Sequence, residues 1–154
     1  MILYRLSHQK YKDDLSGTGA ALIGGRWNQK ETKIIYTSSS KALSIVEILV
    51  HVPADGIPDD YCMISIEIPD NSPIQTVKLH TLPTDWNKFP RIGATQSIGT
   101  EFIRKNKFLA LQVPSAIVPG EFNYLLNPAH PDFKKVKIKG TKTFDFDPRL
   151  FHTT

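Results

Sequence analysis

The chain carries a single cysteine in 154 residues, Cys62. An intrachain disulfide is therefore excluded, and the place of Cys62 inside an apolar alternating run marks it as a small core residue rather than a nucleophile. Of the five histidines none stands at metal-ligand spacing from another, and no cysteine pair exists, so no metal is expected. No hydrophobic run approaches the length needed to span a bilayer. Met1 leads straight into the strand-like Ile2-Leu3-Tyr4-Arg5-Leu6 with no basic and apolar leader, which predicts a cytoplasmic location and no membrane partner. Repeats, linkers and low-complexity tracts are missing as well. So is a strong charge of one sign: 19 Lys+Arg against 15 Asp+Glu leave +4, with a pI of about 9.2. That balance suits a small anionic ligand or an acidic partner, whereas nucleic-acid binding would want a denser basic cluster.

What is present, at 40% hydrophobic residues, suits one compact domain over 1–154. The most informative stretch runs from Gly24 to Val52. Gly24-Gly25 allow a tight turn or a close approach to a ligand, and Arg26 follows at once with a fixed cation suited to phosphate or carboxylate. Ile34-Ile35-Tyr36-Thr37 is β-branched and aromatic, which predicts a short strand delivering Tyr36 near its end. The serines after it supply an N-cap for a helix starting at Lys41. On a helical wheel Ala42, Leu43, Ile45, Val46, Leu49 and Val50 form one apolar arc, with Glu47 just beyond its edge. Glu47 then either faces solvent or borders a cleft. An arginine, a tyrosine and a glutamate delivered by a loop, a strand and a helix form a more specific constellation than any of them alone.

Elsewhere Ile2–Leu6 reads as a strand carrying Arg5, a second site candidate or a structural ion pair. His8–Ser16 is polar, a turn of helix or an ordered loop, and His51–Asp60 is a loop punctuated by prolines and glycine. Tyr61–Ile68 alternates, with Cys62, Ile64, Ile66 and Ile68 facing one way. Ile74–Val77 is a shorter strand. The segment Leu79–Arg91 is irregular, with Trp86 expected to plug the core. Thr95–Lys107 predicts a second helix with Thr95 as a cap and Ile98, Phe102 and Ile103 on one face. Phe108–Val113 is a strand ending at Pro114, which presents Ser115 at a strand end. No histidine lies near Ser115 in sequence and no nucleophile-elbow pattern surrounds any serine, so a Ser/His/Asp hydrolase is poorly supported. Phe122–Leu126 is a further strand carrying Asn123, and His130, between prolines, is expected to fix a loop. Lys134–Lys139 reads as an edge strand protected by charge, and Thr143–Asp147 as another that closes the sheet. Short strands with two helices, mixed rather than alternating regularly, give an α+β class with largely antiparallel small sheets.

Gly25-Arg26-Trp27-Asn28, Ile35-Tyr36-Thr37, Ala42-Leu43-Ser44-Ile45-Val46-Glu47, Val113-Pro114-Ser115 and Asn123-Tyr124-Leu125-Leu126-Asn127-Pro128 together resemble the RES domain family. The resemblance runs from Tyr4-Arg5 to Asp147-Pro148-Arg149-Leu150. It implies a toxin of a bacterial toxin–antitoxin pair with an ADP-ribosyltransferase-like fold, two small sheets meeting at an NAD-binding cleft. It also implies cleavage of the nicotinamide–ribose bond of NAD+, by phosphorolysis or hydrolysis, or ADP-ribosylation of a protein through the same site. NAD+ is then substrate and inorganic phosphate co-substrate, with no bound cofactor. Arg26, Glu47 and Ser115 are the implied catalytic set; Arg5, Tyr36 and Asn123 bind substrate. In this reading Glu47 stabilises the developing ribose cation, Arg26 holds phosphate with help from Arg5, Tyr36 stacks on nicotinamide or ribose, and Ser115 and Asn123 donate to phosphate or ribose hydroxyls. The resemblance further implies an Xre-like antitoxin covering the cleft, a homodimer within the complex, and DNA contact only through the antitoxin. Two other classes stand beside it: a non-enzymatic basic module engaging nucleic acid, against which the scattered lysines speak, and an inactive member acting only through its partner, against which the retained Arg26, Tyr36, Glu47 and Ser115 speak.

Overall fold

A computed structural model describes residues 1–53 and 56–151, so two residues of the expected 51–60 loop and the last three of the chain lie outside the described residues. In chain order the elements are β1 (Ile2–His8), α1 (Thr18–Ile23), β2 (Ile35–Ser38), α2 (Lys41–Leu49), β3 (Tyr61–Glu67), β4 (Ile74–Thr76), α3 (Gly93–Lys105), β5 (Ala110–Pro114), β6 (Phe122–Leu126) and β7 (Lys137–Phe144). Short 3-10 turns sit at Gln9–Tyr11, Leu79–Thr81, Pro131–Lys135 and Pro148–Leu150. Among the described residues no helix is long and apolar enough to cross a membrane.

The strands hydrogen-bond in the order β4-β5-β6-β2-β1-β3-β7, all pairs antiparallel except β4 with β5. The α+β class with a largely antiparallel sheet is therefore the observed one. Instead of two separate small sheets there is one, but it is nearly divided: β1 meets β2 through a single residue pair, Tyr4 with Ser38. By contrast β1 and β3 are in register from Ile2–Glu67 to His8–Tyr61. The ladder is thus two half-sheets stitched at one point, and the site lies along that seam.

Side chains alternate across a strand and directly paired residues share a face, so the register sorts the core. One face carries Leu3, Cys62, Ile64 and Ile66 from the first half and Ile35, Ala110 and Leu126 from the second, all packed together. On the opposite face Leu6 and Met63 receive Ile45, Ile48 and Leu49 of α2, and Leu111, Val113 and Leu125 receive Trp27, Trp86 and Phe102. Each half-sheet therefore has its own helix over the same face.

Several expectations need correction. A third helix, α1, forms where none was expected. In α2 Ser40 does cap the helix, its hydroxyl accepting from Leu43 N at 3.1 Å. Its buried residues, however, are Leu43 and Ser44, while Ala42 and Val50 of the expected apolar arc are exposed. Ser44 is admitted to the interior because its hydroxyl is bonded to Lys41 O and Met63 Sδ. Thr95 lies inside α3, donating back to Ile92 O, rather than capping it. The two C-terminal strands expected at 134–139 and 143–147 are one, β7, preceded by a 3-10 turn; its lysines do protect the sheet edge. Cys62 and Trp86 are buried in the core as expected, and His130 fixes its loop by accepting from Asp132 N at 3.1 Å.

Candidate functional site

Two residues of β2, Tyr36 and Ser38, share the helix-covered face at the seam, and each holds one end of the site. The Tyr36 hydroxyl donates to Asn28 Oδ1 at 2.7 Å and accepts from Trp27 N at 3.0 Å. Asn28, fully buried, spends its amide on Ala20 O, Gln29 O and Thr32 O at 2.9–3.2 Å. The loop carrying Arg26 is in this way pinned to α1, to β2 and, through Gln96 Nε2 to Gly25 O at 3.0 Å, to α3. The glycines follow from this closeness. A Cβ at Gly25 would collide with the Tyr36 hydroxyl and lie 2.7 Å from Asn28 Oδ1, and one at Gly99 in α3 would run into the Trp27 carbonyl. Burial pushes the Tyr36 phenol up to about 12, which keeps it a protonated donor.

Arg26 Nη1 donates to Trp86 O at 2.7 Å and to Lys88 O at 3.2 Å, so the irregular segment 79–91 holds the guanidinium through main-chain carbonyls. Partial burial lowers its pKa; the charge of Glu47 acts in the opposite sense, and that of Arg91 adds to the lowering. Arg91, exposed and not singled out from the sequence, thus belongs to the same electrostatic neighbourhood as Arg26, Glu47 and Tyr36.

At the other end Glu47, on the sheet-facing side of α2, receives two hydrogen bonds on one oxygen: Ser115 Oγ at 2.8 Å and Asn123 Nδ2 at 2.6 Å. Among the described residues no donor is bonded to Oε2. Ser115 Oγ also accepts from Ile117 N and Val118 N, both at 3.1 Å, and Ser38 Oγ donates to Asn123 Oδ1 at 2.7 Å. The Ser115 proton and the Asn123 amide are therefore turned toward Glu47, not toward a ligand as expected. Tyr36 likewise serves as an anchor of the Arg26 loop, with only part of its surface left for a ligand.

A cleft of about 450 Å³ opens here, lined by Arg5, Tyr36, Ser38, Glu47 and Asn123 together with Tyr4, Leu6, His8, Ile23 and Tyr61. Four of the six expected residues line it. Ser115 stands behind Glu47, and Arg26 outside the lining, at the Tyr36 side. Arg5 belongs by alternation to the sheet face opposite Tyr4, where its Nη1 donates to Asp14 O at 2.7 Å and burial lowers its pKa. Its bond is to a main-chain carbonyl, so the structural carboxylate ion pair is not formed, while Arg5 remains among the residues that line the cleft. Ser38 was missed by sequence reasoning, although its place two residues beyond Tyr36 on one strand is the signal that points to it.

Residues 2–148 match the RES domain family model. Among curated proteins the chain is 44% identical over 153 residues to a protein named Toxin Res from Photorhabdus laumondii, covering 97% of each. It is 39% identical over 140 residues to one named Prs ADP-ribosylating toxin from a Sphingobium species, covering 90% of this chain and 87% of that one. Toxin Res of Yersinia enterocolitica is 38% identical over 152 residues, with 97% and 99% covered. Among solved structures the fold resembles a chain of the MbcT–MbcA toxin–antitoxin complex of M. tuberculosis, with a TM-score of 0.72 at 20% identity over 97% of this chain and 86% of that one.

Proposed function

The chain belongs to the RES domain family, and from that premise we propose that it is a toxin of a toxin–antitoxin pair that breaks the nicotinamide–ribose bond of NAD+. The observation that carries this reading is the held carboxylate: Glu47 lines the cleft, Ser115 and Asn123 fix Oε1, and among the described residues no donor is bonded to Oε2. When the bond breaks its electron pair returns to the ring nitrogen, nicotinamide leaves neutral, and positive charge develops on the ribose, as in glycoside cleavage. A preorganised carboxylate stabilises that charge without reorganising during the step, and Oε2 is free to fix a ribose hydroxyl. Arg26, with Arg91 near it, supplies positive potential for the pyrophosphate or for an attacking phosphate. Phosphate oxygen forms the new bond in phosphorolysis, giving ADP-ribose phosphate; in hydrolysis water forms it and releases a proton.

A second reading, transfer of ADP-ribose to a protein, is favoured by the relative named as an ADP-ribosylating toxin. It uses the same carboxylate and differs only in the acceptor. A toxin of either kind needs a partner that silences it, and an Xre-like antitoxin covering the cleft of a homodimeric toxin would do so. Exposed apolar residues suit such a cover: Ile23, which lines the cleft, is 71% exposed, beside Leu22 at 72%, and on the Arg26 side Phe89, next to the Lys88 carbonyl that holds the guanidinium, is 80% exposed. The acceptor is decided by phosphorus NMR of NAD+ incubated with the isolated chain, with and without inorganic phosphate. Phosphate-dependent loss with a new sugar-phosphate signal is expected. Phosphate-independent loss identifies hydrolysis, label from NAD+ on a protein identifies the transferase, and intact NAD+ with no labelled protein overturns both readings.

A further inference from the structure

We propose that Ser38 is a positioning residue that sets the orientation of the Asn123 amide and, through it, the catalytic placement of the Glu47 carboxylate; the inference rests on the reading of Glu47 given above. Ser38 is paired with Asn123 across the β2–β6 ladder and is 4% exposed. Its hydroxyl donates to Asn123 Oδ1 at 2.7 Å, and the other end of the same amide donates to Glu47 Oε1 at 2.6 Å. A carboxylate only accepts, so the NH2 end of the amide must face Glu47, and the carbonyl end is then turned toward the seam, where it needs a donor. Ser38 is that donor. The terminal torsion of asparagine is broad and two-fold, so an amide held at one end alone is free to rotate. Without Ser38 the Asn123 oxygen also loses its partner in a half-buried place. Glu47 Oε1 would then be held firmly by Ser115 alone.

The position of Ser38 in the fold adds weight. It forms the single residue pair, with Tyr4, through which the two half-sheets meet. Its main chain therefore stitches the seam while its side chain aims the amide. A serine whose only task was to cap α2 would not do this, and the cap is in fact Ser40.

The test is a double-mutant cycle on NAD+ turnover by the isolated chain. Ser38→Ala should lower kcat ~10-fold with KM changed less than about twofold, and Asn123→Ala should lower kcat ~100-fold. Added to Asn123→Ala, Ser38→Ala should cost almost nothing more, because the amide it orients is gone. Ser38→Thr, which keeps the hydroxyl, should restore turnover, and Ser38→Cys, a weak donor of similar size, should fall between. Multiplicative effects in the double variant, a change confined to KM, or wild-type kcat in a folded Ser38→Ala would each overturn the proposal. A readout independent of turnover is the Asn123 side-chain amide in nitrogen-15 NMR. Its protons should exchange slowly in the wild type and quickly in Ser38→Ala, with Ser38→Cys between; equal exchange in wild type and Ser38→Ala would overturn the relay. Absence of NAD+ loss by the wild type would sink the NAD+ reading instead, and the amide measurement would still decide the relay.

Discussion

The two ends of the site are built differently. Glu47 is held by side chains, Ser115 and Asn123, which stand at the end of β5 and in β6 within a continuous ladder. Arg26 is held by main-chain carbonyls of Trp86 and Lys88, in a segment with little regular structure. A carboxylate fixed by strands has few alternatives, which suits a group that must meet a charge appearing only in the transition state. A guanidinium fixed by a loop can follow the ligand it grips. The Glu47 end should therefore govern kcat and the Arg26 end the concentration of substrate needed.

The strongest way to break this contrast is to remove both donors. Ser115→Ala combined with Asn123→Ala should reduce kcat by ~1000-fold or more, each alone by ~100-fold, with KM little changed in steady-state kinetics. At the other end Gly99→Ala forces a methyl group into the Trp27 carbonyl, where backbone rather than a flexible side chain must yield. A loss of ~3 kcal/mol in denaturant unfolding is expected, the upper part of the overpacking range.

Next comes the buried phenol. The pKa of Tyr36 is raised to about 12 from 10.0 by burial, so the folded state keeps the proton that the unfolded chain gives up. Its contribution is fully present below pH 10 and lost as pH rises from about 10 to about 12, by about 2–3 kcal/mol. Wild-type stability should fall across that window by that much more than the stability of Tyr36→Phe. The smallest effect is expected for Arg26→Lys. It keeps the charge but loses the planar guanidinium, whose Nη1 is bonded to both carbonyls, so KM for NAD+ should rise ~10-fold while kcat changes less. A fall in kcat alone would erase the distinction between the ends.

Much of this arrangement was legible in the residues. The alternation of Cys62, Ile64, Ile66 and Ile68 predicted a strand with one buried face, and all four are fully buried. The sequence motifs carry Tyr36, Glu47 and Asn123, and the fold brings them to one cleft. The errors have physical causes. The Thr18–Ile23 helix was hidden because it buries none of its residues, so hydrophobic periodicity had nothing to report. The α2 wheel counted Ala42 and Val50 as core because it could not know that the helix crosses the sheet at Met63, where a serine with two partners fits better. β7 was read as two strands because its middle, Gly140-Thr141-Lys142, is polar and at the sheet edge. The roles of Ser115 and Asn123 depend on a partner 68 and 76 residues off, and that of Arg5 on a main-chain carbonyl of a loop 9 residues on, none of which local pattern carries. The single Tyr4–Ser38 stitch is a property of register between two half-sheets, and no one strand contains it.

In the proposed reaction Glu47 drives departure of nicotinamide from NAD+. Glu47→Gln keeps the size and the helix and removes the charge, so free nicotinamide should be measured beside the melting curve for wild type and variant. The account predicts steady nicotinamide release by the wild type and none above background from a Glu47→Gln chain that melts within a few degrees of it. Equal release from both folded proteins would contradict it.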